Sequence, residues 1–227
     1  ENLLSRTIAD SDVGRINAAG GETVTVDPET AHTLTRALEI SRMTDEAFCV
    51  TIAPLTSLWD FSGGTQCMPT EEERLAALPL VDDSKLVVDG NQVTLPAGMQ
   101  IDLGGIAKGY IADELAKMCE NRSHGALLNF GGNVYVTGAK PDGSLYRVGV
   151  RDPKNTASSL AVISMGPGTV VTSGVYERCF EKDGAFDHHS LDPQTGLSAQ
   201  TDLTSATIVG QSSMDADALA TALIVMG

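Results

Sequence analysis

Basic side chains are scarce in this chain. Its 15 lysines and arginines stand against 30 aspartates and glutamates, which leaves a formal net charge of −15 and a sequence pI near 4.5. Nucleic acid and anionic membranes are bound through a basic face, so this balance argues against both and fits a solvated acidic surface. Long apolar runs are also missing: no stretch approaches the roughly 20 apolar residues of a membrane-spanning helix. No signal segment is present, and Glu1-Asn2-Leu3-Leu4 reads as the start of folded sequence. Cys49, Cys67, Cys119 and Cys179 lie scattered, without a Cys-x-x-Cys pair or a histidine at zinc-finger spacing, which argues against structural zinc and leaves disulfides open. Trp59 is the only tryptophan. There is no internal repeat, no low-complexity tract, no Walker loop and no Gly-x-Gly-x-x-Gly turn.

What remains is ample for a core. With 227 residues, 42% hydrophobic, and a mean hydropathy near zero, the chain reads as one large or two-lobed domain over residues 1–227. Helical patterns run over Pro28 to Met43, Ile111 to Cys119 and Met214 to Val225, with a weaker one over Thr70 to Leu78. Strand-like runs lie at 86–88, 92–95, 126–129, 133–137, 146–150, 160–165, 170–172 and 204–209. Asp89-Gly90-Asn91 and Asp142-Gly143 are hairpin signals between neighbouring runs. The class is therefore α+β: a largely antiparallel sheet with flanking helices, not a doubly wound parallel sheet. Ser62-Gly63-Gly64 through Pro69 is the best candidate for a mobile loop. Cys119, near a helix end, is expected to be buried among small residues.

Three segments carry chemistry. Asp102-Leu103-Gly104-Gly105-Ile106-Ala107-Lys108-Gly109 leads into a helix, so backbone N–H groups and one ammonium can converge on a phosphate. Taken alone, such a loop is as readily a tight corner. His188-His189-Ser190-Leu191-Asp192-Pro193-Gln194-Thr195-Gly196 sets two imidazoles before a turn that Pro193 and Gly196 stiffen on the surface. Asp217 and Thr221 stand one helical turn apart, behind an N-cap at Ser212 or Ser213. A carboxylate and a hydroxyl on one face are hard oxygen ligands suited to Mg²⁺, here expected in a surface cleft. His32 and His124 have no such context and read as surface or capping residues.

The same segments resemble the ApbE family of FAD:protein FMN transferases. The likeness runs in order through nearly the whole chain: Leu4-Ser5-Arg6, Asp10-Ser11-Asp12-Val13-Gly14-Arg15-Ile16-Asn17, Ala47-Phe48, Ala53-Pro54-Leu55, Leu58-Trp59-Asp60-Phe61 and the glycine-lysine loop. It continues with Asn129-Phe130-Gly131-Gly132-Asn133, Thr172-Ser173-Gly174-Val175-Tyr176-Glu177-Arg178, the histidine turn, and Asp217 to Thr221 ahead of Val225-Met226-Gly227.

The resemblance implies Mg²⁺-dependent transfer of FMN from FAD, the substrate, to a Thr or Ser hydroxyl of an acceptor flavoprotein, with release of AMP. It implies a metal held by Asp217, Thr221 and the Gly105 carbonyl, and His189 as the base. Leu58, Trp59, Asp60, Asp102, Lys108 and Ser190 are the implied FAD contacts, Lys108 on the pyrophosphate and Asp102 on adenine or ribose. Asp215 is a possible outer-shell residue of the metal, and Arg178 is expected to pair with Asp192 or Glu177 and hold the turn. His188 reads as the structural partner of His189. The chain departs from the family pattern at Thr7, commonly aromatic; at Glu46 and Cys49-Val50, usually Gly and Asp-Pro or Asp-Ile; at Ser190, usually aliphatic; and at Ala220, where some members add a carboxylate. Hydrolysis of FAD to FMN and AMP in the same site, and a non-catalytic flavin-binding domain, are the alternatives. The resemblance also implies a chain trimmed at both ends, from an exported, membrane-anchored protein. No acceptor-like Asp-Gly-x-Ser/Thr-Gly-Ala-Thr stretch occurs in it.

Overall fold

Caps written into the sequence start most of the helices. In α1 (Asp12–Ala18), the Ser11 hydroxyl accepts from the Gly14 N–H. After the short strand β1 (Val24–Thr25), Asp27 caps α2 (Pro28–Met43), whose Pro28 sits where a missing N–H is harmless. A single turn, α3 (Ala53–Thr56), precedes α4 (Glu71–Ala77), where Thr70 and Glu73 form a reciprocal capping box. The computed structural model describes residues 2–61, 66–119, 124–182 and 184–227; residues 62–65, in the proposed mobile loop, and the 121–123 turn before His124 lie outside them.

Strands β2 (Val87–Asp89) and β3 (Gln92–Thr94) form the expected hairpin and, with β1, a three-stranded antiparallel sheet. Then come α5 (Ala107–Cys119), β4 (Leu127–Phe130), β5 (Asn133–Val136), β6 (Tyr146–Asp152), β7 (Asn155–Met165), β8 (Gly168–Gly174), β9 (Cys179–Lys182), β10 (Ala185–His188), β11 (Ser205–Gly210) and α6 (Ser213–Met226). The central sheet has the order β11-β8-β5-β4, antiparallel throughout; β6–β7 and β9–β10 are separate hairpins. The class is therefore α+β, as the strand spacing predicts.

Three local expectations are corrected and one hairpin is added. α5 starts at Ala107 rather than Ile111, because the Ile106 and Ala107 N–H groups already bond to Leu103 and Tyr110 bonds to Ile106. Lys108 and Gly109 thus belong to its first turn. Asp142-Gly143 makes a turn but no hairpin of its two flanking strands, since β5 pairs with β4 and β8 while β6 pairs with β7. Cys119 is half-buried; Cys49 is the fully buried cysteine. The β9–β10 hairpin, with arms of four residues each, is too short to stand out by alternation.

Helix α6 is buried on nearly every side. Met214, Ala218 and Ala222 enter the main core with α1, α2 and the small sheet, Ala216 and Ala220 lie on Val171 of β8, and Ile224 packs with Val175 and Ala206. Its alanines let helix and sheet approach closely. α5 crosses α6 closer still: a Cβ on Gly109 would stand 2.1 Å from the Ser213 carbonyl oxygen. Asp113 of α5 ties the crossing by accepting from the Ser213 and Met214 N–H groups and the Ser212 hydroxyl.

Candidate active site

The glycine loop and α6 meet as the segments' spacing alone could not show. A Cβ on Gly105 would lie 3.5 Å from Thr221 Oγ1 and 3.1 Å from the Phe48 ring, so this backbone is pressed against Thr221 with Phe48 beneath it. Asp217 stands one turn before Thr221, whose hydroxyl donates to the Asp217 carbonyl at 3.2 Å. The expectation that Asp217 lies in an open surface cleft is corrected: it is 2% exposed. Burial pushes its carboxyl up from the ordinary range. Against burial work the Lys108 ammonium, 3.6 Å from Oδ1, the Asn133 amide, and the Gly109 N–H, which donates to Oδ2 at 3.0 Å.

A carboxylate, a hydroxyl and the backbone carbonyl of Gly105 form an oxygen-only donor set, which fits a small hard cation. No group of three or more His, Cys, Asp or Glu side chains converges among the described residues, so a softer or carboxylate-rich metal site is not built from them. Asp215 is not part of the seat. It faces away, gripped at 2.7 and 2.8 Å by Nε and Nη2 of Arg36 from α2.

Histidines 188 and 189 end the β9–β10 hairpin. His188 is 4% exposed, not surface-held as the turn suggests. Its N–H donates to the Ser198 hydroxyl at 3.0 Å and its Nε2 bonds to the Ala199 carbonyl at 3.1 Å; the Ser198 hydroxyl in turn bonds to buried Asp187. His189 is half-buried, its N–H bonded to the Arg178 carbonyl and its Nδ1 without a partner among the described residues. Burial, then the positive charges of Arg178, His188 and Lys108, bring its imidazole down to about 4. It is thus neutral near pH 7 and can accept a proton. The Lys108 charge is felt at both groups, strongly at Asp217 and least among the causes at His189.

The turn itself is rigid, as its proline and glycine predict. Asp192 accepts from the Gln194 N–H and Thr195 hydroxyl, Gly196 takes φ 69°, and the Arg74 guanidinium of α4 donates to the Thr195 carbonyl. Arg178 does not hold it by an ion pair: Glu177 pairs instead with Arg151 at 3.9 Å, and the tie from Arg178 is its backbone carbonyl.

The 58–60 segment reaches the turn through a small core. Trp59, 7% exposed, stacks on Phe61 at 5.2 Å, Phe61 stacks on Phe180 of β9, and Leu191 closes the cluster. Leu58 and Asp60 on either side are half-buried, and Ser190 is buried with its carbonyl accepting from Ala199. Asp102 lies at the loop's entrance, accepting from Gly104 N–H at 2.8 Å and pairing with Arg6 at 3.1 Å. Arg6 also donates to Ser57 at 2.9 Å, so one guanidinium joins the N-terminal segment, the 57–60 segment and the glycine loop. Reading the residues in order assigns no role to Arg6, Asn133 or the Gly109 N–H. The signal for the first two is their place in quoted motifs; the third needs the helix crossing.

Three comparisons bear on this arrangement. The model of the ApbE family matches residues 1–227. A protein of Treponema pallidum named FAD:protein FMN transferase is 37% identical over 246 residues, covering 100% of this chain and 68% of that protein. Among solved structures, an ApbE protein from Thermotoga maritima aligns with a TM-score of 0.92 at 35% identity, covering 99% of this chain and 74% of its own. The flavinyl transferase ApbE of Pseudomonas stutzeri, in its apo form, gives a TM-score of 0.88 at 31% identity, covering 100% and 72%.

Proposed function

The chain belongs to the ApbE family, and from that premise we propose that it moves FMN from FAD to a Ser or Thr hydroxyl of an acceptor protein, releasing AMP. The observation that carries this reading is the oxygen seat itself, with Gly105 pressed against Thr221 one turn from buried Asp217 and Lys108 3.6 Å from its carboxylate. The acceptor oxygen forms a bond to the phosphorus next to riboflavin, and the bond from that phosphorus to the AMP oxygen breaks. The hydroxyl proton goes to His189, which is neutral and has a ring nitrogen, Nδ1, free of partners among the described residues. Burial is the main cause of its lowered basicity; of the cations that add to it, Arg178 and Lys108 carry charges that a pyrophosphate would offset, so bound FAD would move the imidazole upward.

The Gly105 carbonyl, Asp217 and Thr221 would hold Mg²⁺, which when bound supplies a positive charge that stabilises the transferring phosphoryl group. Lys108 serves the pyrophosphate as a point charge. Trp59 already has one ring face on Phe61 and is buried, so it anchors the 58–60 segment while Leu58 and Asp60 offer the more accessible contacts. Asp102, braced by Arg6, keeps the loop entrance in shape and offers a carboxylate oxygen to a ribose or adenine donor.

The test is an incubation with FAD, Mg²⁺ and an acceptor domain carrying an Asp-Gly-x-Ser/Thr-Gly-Ala-Thr segment, read by the mass of the acceptor. A gain of one FMN less water is expected. FMN and AMP formed with the acceptor unchanged would make the protein a hydrolase of FAD, and bound but intact FAD would make it a carrier.

A further inference from the structure

Lys108 rests in an unexpected place for a phosphate ligand. Its ammonium lies between two oxygens, 3.6 Å from Asp217 Oδ1 and 3.4 Å from the Gly104 carbonyl. The two partners differ sharply in access: the Asp217 side chain is 3% exposed and that of Lys108 is 49% exposed. The Gly109 N–H that bonds this carboxylate and the Asn133 amide near it are neutral and built into α5 and β5. Lys108 is the one charged side chain against Asp217 among the described residues, and it rides on a flexible four-carbon stem. Arg6, the other cation at the loop, is committed to Asp102 and Ser57.

A divalent cation over Asp217 and an ammonium at 3.6 Å from the same oxygen repel each other, and only the ammonium has somewhere else to go. We propose that Lys108 is a displaceable placeholder: it covers the buried carboxylate in the metal-free enzyme and, when a divalent cation takes the seat, is released to the FAD pyrophosphate. This rests on the function proposed above and adds to it a coupling between the two ligands. The cation frees the lysine that FAD needs, and FAD draws away the lysine that the cation must displace, so each tightens the binding of the other by the same factor.

The test is calorimetry on the intact chain at about pH 8, where ordinary carboxylates are ionised. Mg²⁺ is titrated into FAD-free protein, and FAD into protein with and without Mg²⁺, for wild type, Lys108→Met and Lys108→Arg. In Lys108→Met, Mg²⁺ should bind more tightly without FAD, by about 5- to 10-fold, at the low end of usual coupling factors. FAD should bind more weakly in the presence of Mg²⁺, and the Mg²⁺ enhancement of FAD affinity should shrink toward unity. Lys108→Arg, which keeps the charge, should stay near wild type in Mg²⁺ affinity, and acetylation of Lys108 in the wild type, read by mass, should quicken when Mg²⁺ is added. Unchanged or weaker Mg²⁺ binding by a folded Lys108→Met, or an acetylation rate indifferent to Mg²⁺, overturns the placeholder while leaving the transfer assay intact. Wild type that binds no Mg²⁺ overturns it together with the metal assignment.

Discussion

Replacing Gly109 by alanine tests the helix crossing on which the site is built. In an ordinary helix interior this change stabilises by about 1 kcal/mol. Here the added Cβ would stand 2.1 Å from the Ser213 carbonyl oxygen, 2.6 Å from its carbon and 2.7 Å from Met214 Cα, all backbone atoms that no rotamer change can move. Ordinary contact needs roughly 3.5 Å, so the helices must part by about 1 Å. α6 cannot easily yield, with its N-terminus pinned by Asp113 and its alanines seated on β8. Overpacking of this kind costs about 1–3 kcal/mol, and displacing the Gly109 N–H from Asp217 adds about 1.5 kcal/mol. Set against the propensity gain, the net loss is about 1.5–3.5 kcal/mol, or roughly 3–14 °C in Tm for a chain of this size. Urea unfolding followed by far-UV circular dichroism would measure it. Gly105→Ala is the control: its Cβ meets the Phe48 ring edge at 3.1 Å, a side chain that can shift a few tenths of an ångström, so the cost should be smaller. A Gly109→Ala protein as stable as wild type, or more so, would refute the close crossing.

Three further outcomes are expected. His189→Ala should slow single-turnover transfer by a factor of about 10²–10⁴ with FAD affinity near wild type, whereas His188→Ala should chiefly lower stability by releasing the Ala199 carbonyl; equal loss of rate and affinity in His189→Ala would discard it as base. In the ligand-free protein the His189 imidazole should titrate near 4 by NMR and move upward when FAD is bound; because the unfolded chain takes up this proton from about 6.5 downward and the folded one does not, stability should fall as pH drops from about 6.5 to 4, and a midpoint near 6.5 would contradict the buried setting. Glu46→Gly should raise stability by about 1 kcal/mol, since Glu46 sits at φ 64° in the C-terminal cap of α2 and faces Asp82 and Asp83; an unchanged Tm would show that its backbone is not strained.

Much of the fold could be read from local chemistry alone. The bounds of α2 follow from Asp27, Pro28 and its apolar spacing, and the start of α6 from Ser212, because caps and periodicity act within a few residues. The rigid Asp192 to Gly196 turn and the i,i+4 pairing of Asp217 with Thr221 are local in the same sense. Only the tertiary structure decided how exposed and how partnered these groups are. Asp217 is buried because α6 is sandwiched between the core and β8, and Asp215, two residues away, goes to Arg36 because α2 lies on that side. Lys108 settles on a carboxylate 109 positions further along the chain, because burial raises the free energy of the unpaired Asp217 charge until an opposite charge meets it. Which charge is nearest depends on contacts between distant segments, and no pattern within a window of sequence contains that distance.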